Sequence, residues 1–582
     1  MAKLLTDTMA QQIFQRFKNL YGTRAEACMS RLETLLQNFN PATEDNSSTD
    51  TMWNEKDTIL ITYADMVKKE GEPPLKTLNR FCEERLQDAF NTIHILPFFP
   101  YSSDDGFSVI DYRQVKEDYG NWEDVRKMSE KFYLMFDLVL NHASSKSQWF
   151  LDYQNGNEPY CDFFIEVEPE SDLSAVVRPR SLPLLTSVKT PAAEKKVWTT
   201  FSSDQVDLNF ANPDVLFEFL DIMLFYVNQG ARVLRLDAIA YLWKKIGSSC
   251  IHLQETHEVV KLFRDVLQLL ASRVILLTET NVPHRENISY FGEGDEAHMV
   301  YQFSLPPLLF YTLTFANSEK LTAWADSLKE LPAGCTYLNF SASHDGVGMR
   351  PLEGLVADAE RELLFKKAAD RGGQISTKRN QDGSDSPYEL NITYFDLLCG
   401  AKEQVVPLAL LRFLCSQTIV LELKGIPAVY FHSLTATRNW VAGMKKTGAA
   451  RTLNRRKWQE EELENILNDP SSVTHKVFKE YCRLLKLRRL QKAFHPEAEQ
   501  KVHNIGTGFF AVERISRDAE QTILCVSNIT GDDLSLPLQD ISTIKQAKEW
   551  ADLLNDSITT TFSENSTIGL QPYQTVWLSD VI

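Results

Sequence analysis

The sequence predicts an α/β protein built on a closed (β/α)8 barrel, with an inserted domain and a small β-sandwich towards the C-terminus. Three observations carry that expectation. Eight short apolar segments recur, at Ile59–Tyr63, Ile93–Pro97, Tyr133–Leu140, Val233–Leu236, Val274–Thr278, Met299–Phe303, Tyr337–Phe340 and Ile426–Phe431. Most are separated by stretches with helical spacing, and alternating strand and helix implies a parallel sheet that eight units close on itself. Several of the segments end in Asp, Glu, Asn or His, at the strand ends where such a barrel gathers its active site.

Residues 1–56 read as a helical extension. Ile13, Phe14, Phe17, Leu20, Leu32, Leu35 and Leu36 fall at helical spacing, and the polar stretch Asn38 to Asp50 reads as a connecting loop. The barrel is expected over 57–142 and 212–495, with Leu75 to Phe90 as an early helix. The strongest helix signal follows Asn212-Pro213, an N-cap and first-turn proline pair, and stops at Gly230. Its Leu216, Phe219, Leu220, Met223, Leu224 and Val227 form one apolar face. Residues 143–211 hold only short strand-like pieces and are too long for a plain crossover, so they read as an inserted B domain. Residues 346–392, with Gly372-Gly373, Lys378-Arg379 and Asp382-Gly383, read as a long polar loop covering the site. From 496 to 582 short alternating segments such as Gly508–Val512 and Thr522–Ser527 give a C-terminal β domain.

Composition narrows the function classes. At 582 residues, 43% hydrophobic and 24% charged, the chain has ample core for a soluble globular protein. Its net charge of −18 argues against nucleic acid or an anionic membrane as the main partner. Nine dispersed cysteines without a Cys-x-x-Cys read as reduced, mostly buried thiols of a cytoplasmic protein. The N-terminus has no signal-peptide apolar core. The longest apolar run, Val405 to Leu423, is interrupted by Arg412 and Gln417 and reads as a buried helix, not a membrane span. A homodimer is left open.

The chemistry centres on Ala-Arg-Val-Leu-Arg-Leu-Asp at 231–237. Alternation on a strand puts Arg235 and Asp237 on one face. The guanidinium is expected to keep Asp237 at a low pKa and ionised, as a carboxylate nucleophile requires. Alone, an Arg-x-Asp on a strand is more often a structural ion pair. Its companions are Met-Phe-Asp-Leu-Val-Leu-Asn-His at 135–142, Leu-Leu-Thr-Glu-Thr at 276–280 and Ser-Ala-Ser-His-Asp at 341–345.

Together these four segments resemble the four motif regions of the α-amylase superfamily of glycoside hydrolases, and more narrowly its sucrose-phosphorylase-like branch. The likeness runs from about Thr58 to the C-terminus. It implies a TIM barrel and retaining glucosyl transfer, with Asp237 as nucleophile, Glu279 as acid/base and Asp345 as the third carboxylate, which stabilises the transition state. It also implies that His142 and His344 hydrogen-bond the glucosyl ring above Arg235, with Asp137 orienting them from the same segment. In Ser102-Ser103-Asp104-Asp105-Gly106-Phe107, Asp104 and Phe107 match residues of the branch's glucose pocket. Arg455 in Leu453-Asn454-Arg455-Arg456 matches the arginine that pairs with the pocket aspartate. Asn141 matches a position that often binds calcium, but no cage accompanies it, so neither metal nor cofactor is expected.

Val177-Arg178-Pro179-Arg180 is similar to an Arg-Pro-Arg of sucrose phosphorylases, which implies phosphate binding by Arg180 and by Tyr241, with inorganic phosphate as co-substrate. Departures from that pattern bear on the acceptor. Asn281 replaces a histidine two residues after the acid/base, Val177 replaces a tyrosine, and Glu389 replaces a glutamine. The segments 279–284 and 386–389 resemble instead the glucosylglycerate and glucosylglycerol phosphorylases. Glu389 suits a polyol, because a carboxylate accepts from two hydroxyls. Glycerate would call on Lys378 and Arg379, which the neighbouring Asp382 and Asp385 oppose. The expectation is therefore reversible phosphorolysis of 2-O-α-D-glucosylglycerol to α-D-glucose 1-phosphate and glycerol, with a small-molecule α-glucoside and phosphate as partners. The alternatives are glucosylglycerate phosphorylase, sucrose phosphorylase and α-glucosidase or transglucosidase. A non-catalytic barrel is disfavoured by the retained carboxylates.

Overall fold

A computed structural model describes residues 6–39, 52–270, 273–328, 330–380, 382–400, 406–541, 550–555, 561–562 and 566–580. Eight parallel strands form a closed barrel: β1 (Ile59–Thr62), β2 (Thr92–Ile95), β3 (Tyr133–Leu138), β4 (Ala231–Leu236), β5 (Ile275–Thr278), β6 (Met299–Tyr301), β7 (Thr336–Phe340) and β8 (Ile426–Tyr430). Each pairs with its neighbours in chain order, and β8 closes on β1 with Ala428 opposite Ile59. All eight apolar segments of the sequence are therefore barrel strands, differing only by a few residues at their ends. They read as unbroken apolar runs because both faces of each strand are covered, as the burial of every residue of β1, β2 and β5 illustrates.

The helix at Pro213–Asn228 is capped as its sequence implies, with the Asn212 side chain accepting from the Asp214 amide. The N-terminal extension is two helices, Asp7–Tyr21 and Ala25–Asn38, parted by a tight turn at Gly22–Arg24. Phe17 stacks on Phe217 at 5.9 Å, and the buried Arg16 meets Asp265 at 2.5 Å and Glu258 at 3.5 Å. These contacts fasten the extension to the outer helices of the barrel. Most of the loop expected over 38–50 lies outside the described residues.

Two intervals carry more structure than their sequences advertise. Between β3 and β4 lie a helix at Gln148–Asn155, a hairpin of Leu185–Lys189 with Glu194–Trp198, and a pairing of His142–Ser144 with Gln205–Asp207. Residues 346–392 are not a plain loop. They form a three-stranded sheet (Val347–Gly348, Gln374–Arg379 and Asp385–Asn391) and a helix at Asp358–Asp370. That helix buries only Leu364 and Ala368, so its apolar signal is too sparse to mark it.

Beyond the barrel, a six-stranded sheet and a two-stranded ribbon share one core. Leu536, Ile568 and Leu570 of the ribbon pack there with Leu524, Val526 and Leu578 of the sheet. The nine cysteines are free, seven of them buried. Among the described residues no helix is long and apolar enough to cross a membrane.

Candidate active site

A cavity of about 530 Å³ opens at the C-terminal mouth of the barrel. Its floor is built by strand ends. Arg235 of β4 donates to Asp237 at 2.6 Å and also to Asp137 of β3, which takes a second bond from His94 of β2 at 2.7 Å. One buried guanidinium thus holds two carboxylates. Glu279, just past β5, lies 3.9 Å from the same guanidinium and accepts from the backbone amide of Ala238, beside Asp237, at 2.9 Å. Ala238 (φ 51°), Asp104 (φ 50°) and Asp105 (φ 52°) are non-glycine residues held in the left-handed region at this mouth.

The low pKa expected for Asp237 is not what its surroundings give. Burial raises it, Arg235 pulls it down, and Asp137 competes for that guanidinium, leaving Asp237 above the ordinary carboxylate value. Burial raises Glu279 to about 7, with Arg235 opposing and the charge of Asp237 adding. Arg235 donates directly to Asp237 at 2.6 Å but stands 3.9 Å from Glu279, so the negative charge of the pair is better held on Asp237.

The remaining pocket residues gather as the motifs imply. Phe107 stacks on His344 at 4.7 Å with planes 3° apart, and the Arg235 guanidinium lies 5.7 Å over the Phe107 ring. The His142 ring is held by the Phe107 carbonyl at 2.9 Å and the Gln205 amide at 3.2 Å. Burial pushes the imidazole of His344 down to about 3, so it faces the cavity neutral. Asp104 pairs with Arg455 at 3.2 Å, the aspartate–arginine pair anticipated at the far end. Burial would raise Asp345, yet Arg451, His344 and Arg455 together hold it well below the usual carboxylate range.

The acceptor side departs from expectation. Glu389 does not line the cavity. Its carboxylate, 2% exposed, accepts from Arg451 at 2.8 Å, the Tyr388 hydroxyl at 3.1 Å and the Gly346 amide at 3.2 Å, with Arg180 3.8 Å away. Three accepted hydrogen bonds and its place outside the cavity turn this carboxylate away from acceptor hydroxyls. Arg180, Tyr241 and Asn281 do line the cavity, as do Lys378 and Arg379. Lys378 lies 3.5 Å from Glu353, and Arg379 donates to Asp385 at 2.6 Å.

Sequence reasoning missed Arg451, Arg350 and Lys244. Arg451 meets Asp345 at 2.5 Å and ties it to Glu389; its only sequence signal was its place four residues before Arg455. Lys244 is a charge in an apolar segment seven residues past Asp237. Its buried ammonium bonds Asp207 and the Asn141 carbonyl oxygen at 2.7 Å. An amino-acid cation thus fills the polar nook at Asn141. Among the described residues no group of three or more His, Cys, Asp or Glu side chains is arranged to hold a metal ion.

Comparison with known proteins accords with this geometry. Residues 87–347 match the family model of the α-amylase catalytic domain. The chain is 46% identical over 528 residues to a glucosylglycerate phosphorylase of Spirochaeta thermophila, covering 90% of each chain. It belongs to the α-amylase superfamily. Within it, the chain is an enzyme of the sucrose-phosphorylase-like branch of glycoside phosphorylases. A glucosylglycerol phosphorylase of Marinobacter adhaerens is 29% identical, covering 76% of this chain and 89% of that one. The crystal structure of sucrose 6F-phosphate phosphorylase from Thermoanaerobacter thermosaccharolyticum superposes with a TM-score of 0.71 at 26% identity, covering 83% of this chain and 96% of that one.

Proposed function

We propose that this enzyme is a retaining glucosylglycerate phosphorylase, which converts an α-glucosylglycerate and phosphate into α-glucose 1-phosphate and glycerate. The observation that carries glycerate over glycerol is the charge of the acceptor wall. Arg178, Arg180, Arg350, Lys378, Arg379 and Arg451 all line the cavity, while the one carboxylate offered for a polyol, Glu389, is turned onto arginines. An anionic acceptor is met there by guanidinium groups suited to carboxylates. The 46% identity to a named glucosylglycerate phosphorylase, against 29% to a glucosylglycerol phosphorylase, supports the same choice.

On this reading Asp237 attacks the anomeric carbon while Glu279 gives its proton to the departing glycerate oxygen. The glucosyl-enzyme is an ester of Asp237. A hydrogen phosphate oxygen, near Arg180 and Tyr241, then attacks the same carbon, returns its proton to Glu279 and releases Asp237 as carboxylate, with overall retention. Asp345 steadies the oxocarbenium-like transition state. Asp104, Phe107, His142 and His344 enclose the glucosyl ring over Arg235, and Arg455, which does not itself line the cavity, holds Asp104 in place. The chain divides accordingly into an extension (1–56), a barrel (57–142 and 212–495), an inserted B domain (143–211) and a C-terminal β domain (496–582).

The test pairs glucose 1-phosphate with glycerate, glycerol and fructose and follows phosphate release. Glycerate should exceed the other two by at least about tenfold in kcat/KM, a difference of about 1.4 kcal/mol. Preference for glycerol or fructose, or glucose release from α-glucosides without phosphate, would overturn the proposal.

A further inference from the structure

The cations of the acceptor wall differ in whether their N–H groups are already used. Arg451 is committed to Asp345 and Glu389, Arg379 to Asp385, and Arg178 to the Leu182 carbonyl; Lys378 lies by Glu353. The guanidinium groups of Arg180 and Arg350 donate no hydrogen bond to any described residue. Arg180 lies over the Tyr388 ring at 5.3 Å, with Glu389 3.8 Å off. Arg350 is 3.9 Å from the half-exposed Glu286, and its Nε is buried without a partner. That loose pairing leaves the donors of the guanidinium open.

The two arginines approach from different elements. Arg180 belongs to the segment inserted after β3, and Arg350 to the turn after Val347–Gly348, beyond β7. The Tyr241 hydroxyl sits in the field of both, and of Glu279. Arg350 shares its side with the loop that carries the acid. Two residues before it, Gly348 abuts Asn281 so closely that a Cβ there would stand 2.4 Å from the Asn281 amide nitrogen. Asn281 in turn offers a buried carbonyl oxygen with no partner.

These positions divide the labour between the two arginines. The leaving oxygen must lie against Glu279 to receive its proton, so the acceptor lies against the 279–282 loop, where Asn281 and Arg350 are. We propose that Arg350 reads the acceptor's carboxylate and Asn281 accepts from its free hydroxyl, leaving Arg180 to the phosphate. The fork of Arg350 fits a carboxylate bidentately, and the unpartnered Asn281 oxygen needs a donor, which a polyol acid supplies. This assignment rests on the glycerate reading above, and it displaces Lys378 and Arg379 from that role.

The experiment measures kcat/KM for glycerate and for glycerol, with glucose 1-phosphate as donor, on Arg350→Gln, Arg350→Lys and Arg180→Gln. In Arg350→Gln the glycerate-to-glycerol preference should fall roughly 30- to 100-fold, the worth of a charge-assisted pair. Arg350→Lys should recover part of it. Arg180→Gln should raise the KM for phosphate and shift the preference less than about threefold, because a neutral and an anionic acceptor are compared on one protein. An unchanged preference in Arg350→Gln, or a loss confined to Arg180→Gln, would overturn the assignment with the glycerate reading intact. A wild-type enzyme that prefers glycerol would sink both. Should Arg350→Gln turn over no acceptor at all, the melting-temperature shift produced by glycerate alone decides. Its loss supports the assignment and its persistence refutes it.

Discussion

Replacing Glu279 by Gln isolates the step on which the mechanism depends. Burial beside Asp237 moves this carboxyl to about 7 from an ordinary 4.5. At about 1.4 kcal/mol per pKa unit, that is roughly 3 kcal/mol in favour of the protonated form. At pH 7 it lifts the protonated share from about 0.3% to about half, so the enzyme keeps an acid where its product needs one. The amide has the same shape and no proton to give. Phosphorolysis of glucosylglycerate should therefore drop about 10²- to 10⁴-fold, the usual worth of a general acid. α-Glucosyl fluoride supplies a donor whose leaving group needs no proton, and phosphate needs little help as nucleophile. With that donor and phosphate, Glu279→Gln should form α-glucose 1-phosphate within about tenfold of wild type. The sign with pH follows. Wild-type kcat/KM for phosphorolysis should fall as pH rises above about 7, and the variant should lack that limb. Equal losses with both donors, or an unaltered pH limb, would refute the acid assignment.

Two further outcomes test the frame around the site. Lys244→Met should destabilise the fold by about 3–5 kcal/mol, because it strands the fully buried Asp207, and a Lys244→Met/Asp207→Asn double variant should lose less than the sum of the two single changes. Thermal or urea melts measure both. Glu422 sits between the barrel and the C-terminal sheet, accepting from the Trp577 indole at 2.8 Å, and burial pushes it up to about 8. Between pH 4.5 and 8 the folded chain holds a proton there that the unfolded chain releases, so stability declines as pH rises through that window. Glu422→Gln should escape the decline, melting above wild type at pH 9 by the equivalent of about 3–5 kcal/mol and level with it near pH 4.

By itself the sequence determined the barrel and the acidic residues gathered on the floor of its mouth. Strands covered on both faces are apolar throughout, so eight of them stand out as runs, and the Asp, Glu, Asn or His that follows several of them falls at the mouth. Asp237, Glu279 and Asp345 were legible for that reason, as was the pairing of Asp104 with Arg455. The acceptor wall was not legible, because it is assembled over the mouth from elements distant in the chain. Arg451 reaches Glu389 across 62 residues, and Arg350 and Arg180 converge from segments after β7 and β3. No local pattern records which carboxylate a guanidinium will meet. Only the tertiary structure decided that Glu389 is neutralised and Arg350 left open, and only burial, a property of the whole packed mouth, decided that Asp237 rises and Glu279 keeps its proton. Local periodicity fixes strands and helices, whereas charge depends on distance in space, and that distance is set by the fold.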